Sequence, residues 1–192
     1  MKRVPVNTLL TKLTNLTNSC SREVSDSIAT FSIDSLQKQP SERSWSAMQC
    51  IEHLNAYFRY YIPVIRGKIT NSRFVTPNEY FTSSPMGRAV YRSAKLGKVK
   101  NVKRHLKSPK DYNPLVNPSL SAENSIEEYL QHNSDFIDLI HEAEKIDMRK
   151  TKVPLSLRPV AKLNIGDALL FLAYHNERHI YQAKNALRLS QL

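Results

Sequence analysis

Residues 164–189 read N-I-G-D-A-L-L-F-L-A-Y-H-N-E-R-H-I-Y-Q-A-K-N-A-L-R-L, and this stretch decides the fold. One set of positions recurs within it at steps of four, three, four, three and four residues. These positions are Ala168, Leu172, His175, His179, Gln182 and Ala186. A seam with this spacing faces the interior of a helix bundle. The sequence therefore predicts a long helix capped by Asn164, with two histidines turned inward.

Three further helices are predicted from periodic apolar residues. The second of the four begins with a capping box from Ser46 to Gln49, directly after Trp45, and we expect it to stop at Gly67. The predicted helices span about 5–31, 46–66, 122–146 and 164–189. No strand-like alternation is evident. The chain is therefore expected to form one all-α domain over residues 1–192, a four-helix bundle.

The long connection over residues 67–121, which we call the basic crossover, separates the second and third predicted helices. Residues 59–110 hold thirteen Lys and Arg against one acidic residue, Glu79, so the net charge of +11 arises there. Because aromatic and basic residues are not interleaved, a solvated connection is favoured over a nucleic-acid interface. A third interpretation is a positive wall that attracts an anionic substrate or a thiol cofactor. Its candidate anion-binding residues are Arg92, Lys95, Lys103 and Arg104.

Composition excludes several classes of protein. Two cysteines are too few for a disulfide framework, and the four glycines form no phosphate-binding loop. The longest apolar run, Ala168 to Tyr174, is far shorter than a membrane span, and the N-terminus has no apolar signal region. We therefore expect a cytoplasmic protein without a membrane partner.

His175 and His179 lie one turn apart, so both imidazoles can reach one ion. His53, about two turns into the second predicted helix, is the best candidate for a third ligand. Three histidines with one open position are typical of catalytic zinc-type sites, and imidazole ligation also fits Ni, Cu or Fe. Gln49 and Gln182 each lie one turn from a proposed ligand, and we expect them to orient the rings. The alternative is that these histidines are structural core residues hydrogen-bonded to backbone groups.

The residues around these histidines do not form a metalloprotease motif. Such a helix carries Glu directly after its first His, whereas Asn176 follows His175 here. We expect Glu177 and Arg178 to be exposed or to flank the site. His132 and His141 neighbour charged residues and are predicted to face solvent, whereas Cys50, on an apolar face, is predicted to be buried.

Two motifs carry a family resemblance. Residues 45–54, W-S-A-M-Q-C-I-E-H-L, resemble the early "W-S-x-x-[EQ]-x-x-x-H-L" segment of the DinB-like superfamily, and residues 175–182, H-N-E-R-H-I-Y-Q, resemble its late "H-x-x-R-H-x-x-Q" segment. The resemblance implies a bundle whose long crossover makes its second and third helices parallel. It also implies a divalent metal on His53, His175 and His179, for which we expect Zn or Ni, and a homodimer.

Two functions follow as hypotheses. The resemblance implies a metal-dependent enzyme acting on a small molecule, either a hydrolase or a transferase that uses a low-molecular-weight thiol. The alternative, suggested by the basic segment, is a non-enzymatic bundle that binds nucleic acid or another partner and whose histidines are structural.

Overall fold

A computed structural model describes residues 3–97, 108–120 and 124–190, and long helices dominate it. The four long helices are α1 (Val6–Asp26), α3 (Ala47–Thr70), α5 (Ser125–Glu142) and α6 (Ile165–Ser190). Two short helices, α2 (Ile33–Gln37) and α4 (Pro85–Ala94), lie in the connections. The predicted all-α four-helix bundle is confirmed. Within the described ranges no helix is long and apolar enough to cross a membrane.

The four long helices form a closed ring in which α1 and α3 each pack against both α5 and α6. Along α3 and α5, Arg59 pairs with Glu128 near the start of α5, and Arg66 pairs with Glu142 at its end. Residue numbers therefore increase in the same direction along the two helices, which means that α3 and α5 run parallel. The connection between them must return along the bundle, as expected for the basic crossover.

Aromatic and amide side chains join the helices inside the ring. Phe58 of α3 contacts the rings of Tyr129 and Phe136 of α5. The Tyr129 hydroxyl donates to Oδ1 of Asn176 on α6 over 2.7 Å, and the Asn176 amide donates to Oδ1 of Asn133. Because these buried polar groups satisfy one another, they fix the rotation of α6 relative to α5.

Two predicted helix ends were wrong. The first helix was expected to reach residue 31 but ends at Asp26, where the Ser27 backbone leaves the helical region, and a 3₁₀ turn at Ile28–Thr30 keeps Ile28 buried. The second was expected to stop at Gly67, but α3 continues to Thr70. Buried Ile69 lies one turn after Ile65 and continues the apolar stripe of α3 past Gly67, and its burial outweighs the weak helix preference of glycine.

The third and fourth predicted helices correspond to α5 and α6. α5 ends at Glu142, and a 3₁₀ turn, Ala143–Lys145, continues it nearly to residue 146; residue 122, where this helix was predicted to begin, lies outside the described residues. The Asn164 cap is confirmed, since its Oδ1 accepts from the backbone N–H of Asp167.

A β-hairpin before α6 was not predicted. β3 (Lys152–Leu155) pairs antiparallel with β4 (Arg158–Asn164), with a register shift after Pro154. Only Val153, Leu163 and Asn164 of these strands are buried. The alternation of buried and exposed side chains is therefore too short to be recognised in the sequence. A second pair, β1 (Val4–Pro5) with β2 (Tyr80–Phe81), ties the N-terminus to the crossover.

The crossover is anchored to the bundle through α4. Ser84 caps this helix and Pro85 occupies its first position. The backbone N–H and the hydroxyl of Ser84 both donate to Oδ2 of Asp167, in the first turn of α6. This junction holds α4 against α6.

Candidate metal centre

Three histidines from two helices meet inside the bundle. His53 comes from α3, one turn after Gln49 of its capping box, and His175 and His179 come from adjacent turns of α6. All three are buried, with 2%, 8% and 8% of their surface exposed. Each offers one ring nitrogen, and these atoms lie within 4.8 Å of one another. The cluster could therefore hold a metal ion.

The hydrogen bonds of His53 define which of its nitrogens faces the cluster. Its Nδ1 contacts the backbone carbonyl oxygen of Tyr112, which can only accept, so Nδ1 carries the proton. Its Nε2 therefore presents a lone pair, 3.2 Å from Nε2 of His175. Two nitrogens bound to one tetrahedral zinc lie about 3.3 Å apart, which matches this separation.

His179 provides a separate test of whether an ion fits. Its Nδ1 is buried and has no hydrogen-bond partner among the described residues. An unsatisfied buried polar atom of this kind costs about 1–3 kcal/mol. A donor set of three imidazoles, one with an orphaned nitrogen, fits a divalent transition-metal ion, and imidazole ligation suits Zn, Ni, Cu and Fe.

Burial keeps the three rings neutral. Loss of hydration lowers the pKa of His53 to about 4, although its bond to the Tyr112 carbonyl opposes this shift. Burial lowers the pKa values of His175 and His179 well below the ordinary range, and the neighbouring histidines and Arg178 lower them further. Neutral imidazole is the form that ligates metals, so the rings need not lose a proton to bind an ion at pH 7.

A cavity of about 770 Å³ opens over the histidines. Its aromatic wall consists of Trp45, Tyr57, Tyr61 and Phe171. The Trp45 ring lies 4.7 Å from the ring of His53 and 5.7 Å from that of His179. The tip of the β-hairpin, Leu155 to Leu157, closes another side. This volume is typical of sites for small molecules.

Part of the crossover also lines the cavity. Ser108, Pro109, Asn113 and Leu115 lie on its wall. Besides the Tyr112 carbonyl, Asn113 contributes an Oδ1 that accepts from the indole N–H of Trp45 over 3.2 Å. No sequence motif identified Tyr112 or Asn113. The Tyr112 acceptor is a backbone carbonyl, which leaves no trace in side-chain patterns, and the partner of the Asn113 side chain lies far away in the sequence.

The two glutamines predicted to orient the rings lie in different surroundings. Gln49 is occupied by the capping box: its Oε1 accepts from the backbone N–H of Ser46 and from the Gln39 amide. Gln182 lines the cavity, and its side chain acts as a hydrogen-bond partner that opposes part of the pKa shift of His179.

Of the four candidate anion-binding residues of the crossover, the two that the structure describes lie away from this wall. Arg92 and Lys95 are exposed and do not line the cavity, and the Lys95 Nζ lies 5.1 Å from the ring centre of Tyr174. Lys103 and Arg104 fall outside the described residues. Arg178, which we expected to be exposed or flanking, is only 7% exposed and lines the cavity. Its position three residues after His175, on the same helix face, is the signal that identifies it.

Other predicted placements can be compared directly. His141 is exposed as expected, whereas the prediction for His132 was wrong: its ring contacts Phe58, and its Nδ1 lies 3.1 Å from Oδ1 of Asn55. Cys50 is fully buried, and burial raises the pKa of its thiol, so the expectation of an inert small core residue fits.

Comparison with models of protein families gives a match to this chain. The family model of the DinB superfamily matches residues 20–183, which include all three histidines. Neither the search of curated proteins nor that of solved structures found a match.

Proposed function

Because the chain belongs to the DinB superfamily, we propose that it is a divalent-metal-dependent enzyme whose ion is held by His53, His175 and His179. The observation that carries this proposal is the cluster of three buried donors, one with an orphaned nitrogen, at the base of a large cavity. Zn²⁺ or Ni²⁺ is the expected ion. When bound, it would supply Lewis acidity that makes a water or a thiol nucleophilic near neutral pH.

The protein's own groups prepare the site for this chemistry. The Tyr112 carbonyl fixes the orientation and tautomer of His53, and Gln182 is placed to orient His179. Trp45, Tyr57 and Phe171 surround the histidines with apolar surface, which limits the access of water. Asn176, which directly follows His175, carries an amide that cannot act as a general base, and its side chain is bound to Tyr129 and Asn133.

The reaction class follows from the nucleophile. With water the enzyme is a hydrolase, and with a low-molecular-weight thiol as cofactor it is an S-transferase. The cavity can hold a small-molecule substrate together with such a thiol. In keeping with the family resemblance, we also propose that the protein acts as a homodimer in the cytoplasm, which sedimentation velocity and cell fractionation test.

Metal binding is tested first, on protein purified without a histidine tag. We expect about one bound Zn or Ni per chain by elemental analysis, and a rise in melting temperature when the ion is returned to chelator-treated protein. Trp45 is the single tryptophan and lies against two of the histidines, so Ni²⁺ should quench its fluorescence. His179→Ala should abolish these responses, and His141→Ala, which removes an exposed histidine outside the cluster, should not.

Activity is tested on the metal-loaded protein with a panel of esters and a panel of thiol acceptors. We expect turnover on one panel that is lost in His179→Ala while its helical circular dichroism is retained. A wild-type protein that binds no metal contradicts the proposal. If that protein instead binds DNA with an affinity that falls steeply with salt, the nucleic-acid-binding alternative holds.

A further inference from the structure

The charge of the cavity wall has one sign. Two arginines, Arg43 and Arg178, line the cavity, and no Asp or Glu of the described residues does. The remaining polar residues of the wall are neutral, and the others are apolar or aromatic. The charged side chains on the described part of the wall are thus both positive, and a cavity lined in this way attracts anions.

The two arginines differ in their exposure to solvent. Arg178 is buried on α6, next to His179 and one turn from His175. Arg43 is exposed, in the segment that leads into α3, two residues before Trp45. Arg178 also has contacts within the protein, so the inference depends on its charge and its place on the wall rather than on a free side chain. Both arginines line the same cavity, Arg178 from the helix that carries two of the histidines and Arg43 from the segment that precedes α3.

The metal proposed above would add to this charge. Three neutral imidazoles leave the charge of a divalent ion uncompensated, in contrast to sites that include a carboxylate ligand. Guanidinium groups bind carboxylates and phosphates through paired, charge-assisted hydrogen bonds. The rings of Tyr57, Tyr61 and Phe171 offer an apolar aromatic surface, which suits the apolar or planar part of a ligand.

We propose that the substrate of this cavity is an organic anion. Its carboxylate or phosphate binds Arg178 and Arg43, and its apolar body lies against the aromatic wall. The proposal rests on the proposed function for the reaction that follows binding, but the arginines and the aromatic wall are present without the ion. Anion binding is therefore measurable in metal-free protein.

The test compares ligands of one shape and different charge. Benzoate, phenyl phosphate and neutral benzamide are titrated into metal-free protein at about 0.1 M salt, followed by Trp45 fluorescence and by calorimetry. We expect at least one anion to bind about tenfold or more tightly than benzamide, the typical value of charge-assisted hydrogen bonds. The benzoate and phenyl phosphate titrations show whether a carboxylate or a phosphate is preferred.

Matched variants locate the binding site. Arg178→Gln and Arg43→Gln should each weaken anion binding about tenfold and leave benzamide binding unchanged. Arg188→Gln removes the same charge from an exposed position of α6 that does not line the cavity, and it should leave anion binding unchanged. If Arg178→Gln does not fold, Arg43→Gln, in an exposed segment, decides the result.

Equal affinity for benzamide and both anions overturns the inference, as does equal weakening by Arg188→Gln and Arg43→Gln. Metal binding by the same preparations separates the two proposals. Protein that binds Zn²⁺ or Ni²⁺ without preferring anions retains the proposed function and loses this inference. Protein that prefers anions but binds no metal loses the proposed function alone.

Discussion

The junction between α4 and α6 makes a sharp prediction, because Gly87 lies against the carboxylate of Asp167. A Cβ atom built at Gly87 would overlap Oδ2, Cγ and Cβ of Asp167. Oδ2 is also the atom that accepts from the backbone N–H and the hydroxyl of Ser84. Gly87→Ala therefore requires Asp167 to move and to strain or break these two bonds.

The magnitude follows from two contributions. Overpacking at a well-packed position costs about 1–3 kcal/mol. Weakening the hydrogen bonds of a buried carboxylate adds a further cost, since such bonds contribute about 1.5–3 kcal/mol each. Some relief through side-chain movement is expected, so we predict that the free energy of unfolding falls by about 2–4 kcal/mol in Gly87→Ala.

Gly67→Ala is the matched control. Gly67 also lies within a helix, α3, but a Cβ there would meet no atom within 4 Å. Alanine is favoured over glycine inside a helix by about 0.8–1 kcal/mol, so this variant should be more stable than the wild type. Glycine-to-alanine substitution is thus predicted to lower the free energy of unfolding at position 87 and to raise it at position 67.

Urea unfolding followed by circular dichroism measures both variants, with the m-values compared to check that unfolding remains two-state. A loss of less than about 0.5 kcal/mol in Gly87→Ala would refute the argument, because it would mean that Asp167 can leave its place freely. Equal destabilisation by both substitutions would also refute it.

Three further predictions concern the bundle. Glu128→Gln should lower the free energy of unfolding at pH 7 by about 0.5–1 kcal/mol, a value reduced by the partial exposure of its partner Arg59. The Arg59 hydrogen bond lowers the pKa of Glu128. The ionised Glu128 carboxylate contributes fully to the free energy of unfolding above pH about 4.3, its pKa in the unfolded chain. This contribution is lost as pH falls through the lower pKa of the folded protein. The free energies of unfolding of wild type and variant, measured in urea, should therefore converge in acid. Tyr129→Phe should cost about 1–3 kcal/mol, because Oδ1 of Asn176 loses its buried donor; an unchanged unfolding midpoint would contradict this. Burial raises the pKa of Cys50, so its reaction with a thiol reagent should be slow in native protein and accelerate in denaturant, and rapid native labelling would disagree.

Patterns that repeat along one helix could be predicted from the sequence. The seam through His175 and His179 identified α6, and the Ser46 capping box placed the start of α3 correctly. These signals are local, since spacing and capping depend on residues within a few turns. His53 was a candidate third ligand because of its place beside the apolar stripe of α3, and the family resemblance implied its link to the histidines of α6.

Features that depend on long-range contacts could not be predicted. The bond of His53 to the Tyr112 carbonyl spans 59 residues, and the one between Ser84 and Asp167 spans 83. The β-hairpin was missed because its sequence carries few buried positions, and His132 was misplaced because its partner Asn55 lies on another helix. Arg178 was expected to be exposed or to flank the site, and it flanks the site as a buried residue of the cavity wall.

The bond between His53 and the Tyr112 carbonyl has a consequence for how the sequence can vary. A main-chain acceptor is supplied by whichever residue occupies position 112, so amino-acid exchange there leaves the acceptor in place. An insertion or deletion between Ser108 and Asn113 would displace it together with the acceptor for Trp45. The crossover next to the histidines should therefore tolerate changes of side chain and resist changes of length.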